Sequence, residues 1–169
     1  PAEQQDLWQE LCAEHHFTLP HRITTGGATR FDSVRLGLSK LPAEGLVAVH
    51  DGVRPLVSRT LIRRTFEVAE ETGAALPACP VTDSLRLLGE DDGSEAVDRA
   101  RYRAVQTPQT FDLERLHRAY EQPFSPQFTD DASVYEVAGL GAITLVEGEE
   151  TNIKLTTPRD LLLADLLLD

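Results

Sequence analysis

Residues 46–55 read LVAVHDGVRP, an apolar run that is followed at once by charged and turn-forming residues. The run Leu46–Val49 has the length and composition of a buried strand. In open α/β sheets, ligands bind beyond the carboxyl ends of the strands, so Asp51 and Arg54 are candidate site residues. Gly52 between them allows the backbone to turn or to approach a ligand closely. An ordinary polar loop explains the same residues equally well, so other parts of the chain have to decide between the two interpretations.

Helical and strand-like patterns alternate around this run. The predicted helices are 3–15, 29–41, a helix between Ser58 and Gly73, 112–122, 129–138 and a last helix that opens at Thr157, and the predicted strands are 21–25, 46–49, 74–80 and 142–146. Such alternation is typical of a parallel sheet whose strands are joined by crossover helices. We therefore predict an α/β fold with a mostly parallel, Rossmann-like sheet, in a single domain that covers residues 1–169.

Residues 82–104 interrupt the alternation. Leu85–Leu88 and Ala104–Val105 lie on either side of an acidic turn, 89–94, with the sequence GEDDGS. Two short apolar segments around such a turn predict a β-hairpin. We expect this segment to project from the sheet as an arm.

The composition restricts the classes of partner. Sixteen basic and twenty-eight acidic residues leave a formal net charge of −12, which argues against nucleic acids and membrane surfaces as partners. No apolar stretch is long enough to span a bilayer, and no signal-peptide pattern opens the chain. Two cysteines do not form a disulfide framework, so we predict a reduced, cytoplasmic location. An acidic chain that binds anions must gather its cations locally, and only two of these are lysines, Lys40 and Lys154.

A glycine pair, Gly26–Gly27, precedes the predicted helix 29–41. A helix N-terminus offers free backbone N–H groups and a positive dipole end, and glycine allows a phosphate to come close. Arg30 and Ser33, one turn apart, would face the same ligand. A tight turn before a capped helix is the simpler explanation, and it is favoured when the motif is considered alone.

Residues 151–156, TNIKLT, contain the second of the two lysines. Ile153 and Leu155 alternate with Asn152 and Lys154, which predicts one buried apolar face and one face that carries an amide and an ammonium group. Because lysine is so scarce in this chain, an ordinary edge-strand lysine and a ligand-binding lysine weigh equally.

Seven motifs in fixed order carry a resemblance to a known family. They are GGATRFDSV, HDGVRP, PVTDSL, VDR, QTPQTF, TDDAS and NIKLTTPRDL. Together they resemble the methylerythritol phosphate cytidylyltransferases of non-mevalonate isoprenoid synthesis, from about Thr25 to the C-terminus. The resemblance implies a nucleotidyltransferase fold and a cytidylyl transfer from CTP to 2-C-methyl-D-erythritol 4-phosphate, a small polyol phosphate, with release of pyrophosphate and help from Mg²⁺. Ribitol 5-phosphate cytidylyltransferases share several motifs, but DSV at 32–34 and DAS at 131–133 favour the methylerythritol enzymes.

The resemblance also implies roles for individual residues. Lys154, Asp51 and Arg54 would be catalytic, with Lys154 at the triphosphate and the other two at the methylerythritol moiety. Nucleotide contacts would come from Gly26, Gly27, Arg30, Ser33, Gly52 and Lys154, and further substrate contacts from Ser84, Arg99, Thr107 and Thr129. In this family the arm exchanges across a homodimer, so Ser84 and Arg99 would reach the substrate of the neighbouring subunit. No protein side chain is predicted to ligate a metal.

The chain departs from the family pattern in three places. Ala28 stands where the family often has an acidic or polar residue, and Ser84 replaces the usual threonine but keeps the hydroxyl. The glycine-rich PAAGxGxRM loop of the family and the lysine after it are absent, and we expect them in a strand–loop–helix before residue 1. Without that loop we expect this chain alone to be inactive. A non-catalytic dimerisation module is the alternative if the protein starts at Pro1.

The motif TDDAS also has a purely local explanation. Thr129 is a suitable N-cap for the helix 129–138, and Asp130 and Asp131 suit its first turn, where the helix dipole favours negative charge. Both explanations of the motif remain open from the sequence.

Overall fold

A computed structural model describes residues 1–89, 91 and 93–168 of the chain. The contacts of the chain separate into two compact units, one formed by Pro1–Gly45 and Leu113–Leu140 and the other by Leu46–Asp112 and Gly141–Asp169. They are called the first and the second unit. No helix among the described residues combines the length and the apolar character that crossing a bilayer requires.

Helices and strands alternate along much of the chain. The helices are α1 (Gln5–Glu14), α2 (Arg30–Leu38), α3 (Arg59–Thr72), α4 (Leu113–Ala119), α5 (Asp131–Val137) and α6 (Pro158–Leu168), with short 3-10 turns at Ala2–Gln4 and Arg99–Arg101. The strands are β1 (Leu46–Val49), β2 (Ala74–Pro80), β3 (Arg86–Leu88), β4 (Ser94–Ala96), β5 (Arg103–Val105), β6 (Gln109–Asp112) and β7 (Thr144–Glu147). The predicted α/β class is confirmed.

The second unit is built on a sheet in which β2 has the most partners. β2 pairs in parallel with β7 and antiparallel with β5 and β6, and β6 also pairs antiparallel with β1. β1, β2 and β7 therefore run in one direction, as the Rossmann-like prediction requires. Adjacent strands among the described residues are nevertheless mostly antiparallel, because β6 lies between β1 and β2 and runs against both.

Helix α3 covers this sheet, and both of its ends follow local sequence signals. The Ser58 hydroxyl oxygen accepts the Leu61 N–H at 2.9 Å, a cap of the kind that contributes about 1 kcal/mol. Gly73 ends the helix with φ at 88°, a left-handed conformation that glycine adopts without strain. A hydrophobic cluster between the helix and the sheet contains the buried residues Leu61, Ala69, Ala75 and Val146. Their burial holds α3 on β2 and β7 through the hydrophobic effect.

The predicted hairpin is present. β3 pairs antiparallel with β4 as a separate two-stranded sheet. Of the acidic turn predicted between them, Glu90 and Asp92 lie outside the described residues. Ala104 and Val105, which the sequence pattern puts beside that turn, pair with β2 instead, because β5 extends the main sheet.

The first unit contains helices α1, α2, α4 and α5, and aromatic side chains fill part of its interior. Phe31 of α2 stacks on Tyr120, with ring centroids 4.7 Å apart, and on Phe128 at 5.5 Å. The predicted strand at 21–25 is wrong, since these residues have no regular structure. A strand needs a partner for its hydrogen-bond ladder, and within the described residues none pairs with this segment.

Candidate active site

Three loops of the second unit meet at one edge of its sheet. They are 50–54 after β1, 106–108 between β5 and β6, and 148–154 after β7. Because β1 and β7 run in the same direction, their carboxyl ends lie at the same edge, where ligands of α/β proteins bind. Hydrogen bonds join the loops directly. The Asp51 N–H donates to Thr107 Oγ1 at 3.0 Å, and the Leu155 N–H donates to the Val53 carbonyl at 2.8 Å.

Asp51, Arg54 and Lys154 form a charged triad in these loops. Oδ2 of Asp51 lies 3.3 Å from Nε of Arg54 and 3.2 Å from Nζ of Lys154. Arg54 is held at a second point, because its Nη1 donates to the Asn152 carbonyl oxygen at 2.8 Å. Its Nη2 makes no hydrogen bond to any residue that the structure describes. The structure thus brings together the three residues for which the sequence predicts catalytic roles.

The environment of the triad keeps Asp51 ionised. Burial is the largest single influence and raises the pKa of Asp51, but hydrogen bonds and charges from Lys154 and Arg54 bring the pKa below its ordinary value of 3.8. One anion and two cations leave the triad with a net positive charge, in a chain whose formal net charge is −12. The exposed fraction of the side chain is 12% for Arg54, 18% for Asp51 and 47% for Lys154. The Lys154 ammonium is therefore the member that reaches solvent most easily.

The hydroxyl of Thr107, a predicted substrate contact, is engaged on two sides. Its Oγ1 accepts the Asp51 N–H and lies 2.9 Å from Nδ1 of His50, whose Nε2 lies 3.0 Å from the Arg54 carbonyl oxygen. A carbonyl oxygen can only accept, so Nε2 carries a proton, and in the neutral ring Nδ1 accepts the Thr107 hydroxyl hydrogen. Thr107 and His50 together therefore shape the turn at 50–54.

Asn152 and Gln106 tie the same loops together from inside. Asn152 is fully buried, and its Nδ2 donates to the Thr107 carbonyl at 2.9 Å. The side chain of Gln106 makes two hydrogen bonds to the backbone of Glu149. Nε2 of Gln106 donates to the Glu149 carbonyl at 2.7 Å, and Oε1 of Gln106 accepts the Glu149 N–H at 3.1 Å. The predicted outward amide at 152 is therefore wrong. Residues 152–156 form no strand, so the period-two alternation of faces does not apply, and the Asn152 amide turns inward.

Gly52 lies in the exposed turn between Asp51 and Arg54. A Cβ atom on it would meet no described atom within 4 Å, and its φ is outside the left-handed region. The turn borders an open depression of about 400 Å³ that is also lined by Val53 and Leu155. Neither contacts with described atoms nor a left-handed φ requires glycine here, and the approach of a ligand to Gly52 stays a prediction.

Ser84 and Arg99, the predicted substrate contacts on the arm, are both exposed near its base. Nη1 of Arg99 donates to the Thr82 carbonyl oxygen. The Ser84 hydroxyl makes no hydrogen bond within the described part of the chain. A role for the two side chains in substrate binding stays a prediction.

The glycine pair of the first unit lies against the start of α2. The Gly27 N–H donates to Ser33 Oγ at 3.0 Å, and Ser33 Oγ donates to the Thr29 carbonyl at 2.9 Å. A Cβ on Gly27 would lie 2.3 Å from Cβ of Asp32, and one on Gly26 would lie 3.0 Å from Ser33 Oγ. Local packing thus accounts for Gly27 and for the position of Ser33. Nucleotide contacts from these residues stay a prediction.

Arg30 is bound by a buried carboxylate of its own unit. Its Nη1 donates to Asp131 Oδ1 at 3.2 Å, and its Nη2 is ion-paired with Asp131 Oδ2. Asp131 is fully buried and also accepts the Tyr120 hydroxyl at 2.5 Å. Burial first, and the Asp131 charge next, raise the pKa of Tyr120 well above its ordinary value of 10. Asp131 therefore orients Arg30, whose predicted nucleotide contact stays untested.

The N-cap of α5 is Asp130, so the predicted cap at Thr129 is wrong by one residue. Asp130 Oδ1 accepts the Ser133 N–H at 2.9 Å, and the Ser133 hydroxyl accepts the Asp130 N–H at 3.1 Å, which completes a capping box. A carboxylate is the stronger acceptor at a positive helix end, which explains the shift. Thr129 is exposed, and its predicted substrate contact stays a prediction.

Sequence reasoning assigned no site role to His50, Gln106, Asn152 or to the Arg30–Asp131 pair. All of these residues lie inside quoted motifs: His50 in HDGVRP, Gln106 in QTPQTF, Asn152 in NIKLTTPRDL, Arg30 in GGATRFDSV and Asp131 in TDDAS. Asn152 is the only asparagine in the chain, which is a usable signal. Nothing in the sequence distinguishes buried Asp131 from an exposed acid at a helix start.

Comparison with known proteins identifies relatives over almost the whole chain. The family described as IspD, 2-C-methyl-D-erythritol 4-phosphate cytidylyltransferase, matches residues 2–169. The enzyme of that name from Bacteroides thetaiotaomicron is 52% identical over 168 residues, which cover 99% of this chain and 76% of the relative. The enzyme of the same name from Porphyromonas gingivalis is 54% identical over 168 residues, which cover 99% of this chain and 75% of the relative. The crystal structure of 4-diphosphocytidyl-2C-methyl-D-erythritolsynthase from Anaerococcus prevotii matches with a TM-score of 0.85 at 28% identity, over 98% of this chain and 77% of that chain. The chain therefore belongs to the 2-C-methyl-D-erythritol 4-phosphate cytidylyltransferase family.

Proposed function

We propose that the Asp51–Arg54–Lys154 triad is the anion-binding centre for cytidylyl transfer from CTP to 2-C-methyl-D-erythritol 4-phosphate. By its family, the chain is a CTP-dependent nucleotidyltransferase of isoprenoid biosynthesis. Both reactants are anions, so positioning and nearby cations must supply most of the catalysis. The observation that carries the proposal is the ion-paired triad itself, in which two cations share one carboxylate at a sheet edge of an acidic protein.

The reaction is an in-line displacement at the α-phosphorus of CTP. A phosphate oxygen of the acceptor forms the new P–O bond while the bond to the β-phosphate oxygen breaks, and pyrophosphate leaves. We assign Lys154 to the triphosphate, because the ammonium of its half-exposed side chain can offset the charge that accumulates on the leaving group.

Arg54 and Asp51 are assigned to the acceptor. The guanidinium fork of Arg54 suits phosphate oxygens, and its Nη2 is the donor that no described residue engages. Asp51 forms ion pairs with both Arg54 and Lys154 and so fixes their positions relative to each other. A carboxylate is also a suitable acceptor for a polyol hydroxyl.

Mg²⁺ fits this centre as a partner of the phosphates. Among the described residues, no group of three or more His, Cys, Asp or Glu side chains could hold a metal ion. Mg²⁺ often keeps several waters and binds through one or two carboxylates together with substrate phosphates, and Asp51 could be such a carboxylate. The ion would neutralise part of the negative charge on the phosphates.

The arm is assigned to the acceptor site of a second copy of the chain, in a cytoplasmic homodimer. Leu87 and Leu88 on the arm are 55% and 79% exposed, which suits a surface that another subunit covers. Ser84 and Arg99 near its base would supply the polar contacts. The free cysteines Cys12 and Cys79 agree with a reducing compartment.

The proposal also includes the residues predicted to bind ligand in the first unit. The nucleotide contacts are assigned to Gly26, Gly27, Arg30 and Ser33, and one acceptor contact to Thr129. Gly27 and Arg30 have local structural partners as well. Variants at these two positions therefore require a direct measurement of ligand binding together with a measurement of stability.

The test is a pyrophosphate-release assay on the full-length protein with CTP and Mg²⁺. The acceptor is either 2-C-methyl-D-erythritol 4-phosphate or ribitol 5-phosphate, and mass spectrometry identifies the product. We expect turnover with the methylerythritol acceptor and a cytidine diphosphate-linked product. Turnover with ribitol 5-phosphate alone would overturn the acceptor, and full activity of Lys154→Ala would overturn the role of the triad.

A further inference from the structure

The side chain of Asn152 is the most deeply buried polar group next to the triad. It is fully buried, whereas Ile153 and Leu155 beside it are only half-buried. The Thr107 carbonyl can only accept, so the orientation of the amide is determined: Nδ2 faces that carbonyl at 2.9 Å. Oδ1 has no hydrogen-bond partner among the described residues. The donor side of the amide is therefore the side that links the loops.

The backbone of Asn152 contacts the triad itself. Its carbonyl oxygen accepts Nη1 of Arg54 at 2.8 Å, which is the second of the two contacts that orient the guanidinium. Lys154 follows two residues later in the same irregular segment and pairs with Asp51. The position of residue 152 thus determines where the Arg54 guanidinium is held. It also determines where the segment that carries Lys154 begins.

Thr107, the partner of the Asn152 amide, also contacts the triad. Its hydroxyl accepts the Asp51 N–H at 3.0 Å. One amide therefore links the loop that carries Lys154 to the loop that orients Asp51. Gln106 reinforces the same link, since its Nε2 and Oε1 hold the backbone of Glu149 on the way to Asn152.

We propose that Asn152 is a positioning residue for cytidylyl transfer, which sets the Arg54 guanidinium and, through the loop, the Lys154 ammonium on Asp51. The inference rests on the assignment of the triad as the anion-binding centre. Asn152 does not touch the reactants and acts through Arg54 and Lys154. In reactions that depend on positioning, a displacement of about 1 Å can lower the rate about 100-fold.

A double-mutant cycle between Asn152→Ala and Arg54→Ala tests this inference in the full-length protein. Alone, Asn152→Ala is expected to lower kcat at saturating CTP and acceptor by about 10–100-fold. In the Arg54→Ala background the same change should lower kcat by a clearly smaller factor than in the wild type, because one of the two cations through which Asn152 acts is gone. Thr151→Ala, an exposed neighbour in the same loop, is the matched control and should keep wild-type kcat.

The outcomes separate this inference from the proposed function. If Arg54→Ala keeps wild-type kcat, the triad assignment fails. Two results would overturn the positioning role while the triad assignment stands, provided that Arg54→Ala itself lowers kcat. In the first, Asn152→Ala keeps wild-type kcat. In the second, Asn152→Ala lowers kcat by the same factor in the wild-type and Arg54→Ala backgrounds. Thermal melts of every variant exclude loss of folded protein. Should Asn152→Ala not fold, Asn152→Ser, which retains a shorter donor, enters the same cycle with the same criteria.

Discussion

The ammonium of Lys154 lies 3.2 Å from the carboxylate of Asp51, although Asp51 follows the first strand of the second unit and Lys154 precedes its last helix. Arg54 meets the same carboxylate oxygen at 3.3 Å. One acid therefore holds two cations that the chain supplies from different loops. Because of this arrangement, the effect of removing each charged group on kcat or on stability can be predicted separately.

Lys154→Ala is expected to lower kcat by about 10²–10³-fold, because one charge that stabilises the leaving pyrophosphate is removed. Steady-state kinetics with both substrates saturating measures the loss. Lys40→Ala, at the other lysine of the chain, is the matched control and should leave kcat unchanged. Equal activity of the two variants would contradict the role of Lys154.

Asp51→Asn is expected to lower the free energy of unfolding at neutral pH by about 1–3 kcal/mol, because Arg54, only 12% exposed, loses its charged partner. The pKa of Asp51 is lowered by folding, so its stabilisation is complete above the ordinary value of 3.8 and is lost as the pH falls through the lower folded value.

The stability difference between wild type and Asp51→Asn should therefore stay constant from neutral pH to roughly pH 5 and shrink below roughly pH 4. Urea denaturation at a series of pH values measures it. Asp165→Asn, at an exposed acid in α6, provides the control. A difference that persisted undiminished well below the ordinary pKa of a carboxyl would be incompatible with the ion-paired Asp51.

The two predicted ligand-contacting glycines should respond differently to alanine. Gly27→Ala is expected to destabilise the fold by about 1–3 kcal/mol, because the new Cβ would lie 2.3 Å from Cβ of Asp32. Gly52→Ala should change stability by less than about 0.5 kcal/mol, because its Cβ meets no described atom within 4 Å. Thermal melts separate the two. Loss of CTP binding by a fully stable Gly52→Ala variant would support a close ligand approach, and unchanged binding would exclude it.

Tyr120→Phe is expected to destabilise the protein by about 1–3 kcal/mol, because fully buried Asp131 loses the hydroxyl donor at 2.5 Å. Chemical denaturation measures the change. Tyr102→Phe is the matched control, since Tyr102 is 44% exposed, and it should be neutral. Similar stability of both variants would mean that the Tyr120 hydrogen bond contributes nothing to the fold.

The proposed exchange of the arm between subunits predicts complementation. Lys154→Ala and Arg99→Ala should each be nearly inactive as homodimers. After mixing and re-association, the heterodimers would contain one site with both residues intact, so about a quarter of wild-type activity should return. Size-exclusion chromatography checks that dimers form. If no activity returns in mixed dimers, Lys154 and Arg99 act within one subunit.

The elements that were predicted correctly are those with local signals. β1, Leu46–Val49, and β2, Ala74–Pro80, are compact apolar runs with residue types that fit a buried strand. Helix α3 begins after a hydroxyl cap and ends at a glycine in the left-handed conformation. Such signals act within a few residues, so they can be read without knowing what packs against them.

The elements that were predicted wrongly depend on partners elsewhere in the chain. Residues 21–25 have a strand-like pattern but no strand to pair with. Ala104 and Val105 suit a hairpin, yet they pair with β2. Pairing is a property of two segments, and the pattern of one segment does not specify it.

The residue types and positions in the sequence mark Asp51, Arg54 and Lys154 as candidates, and the motifs that resemble the family imply their catalytic roles. Their convergence on one carboxylate, the inward turn of Asn152 and the capture of Arg30 by buried Asp131 were decided only by tertiary structure. The reason is physical. A side chain's type sets which bonds it can form, whereas burial and the distance to partners far along the chain determine which of those bonds it does form.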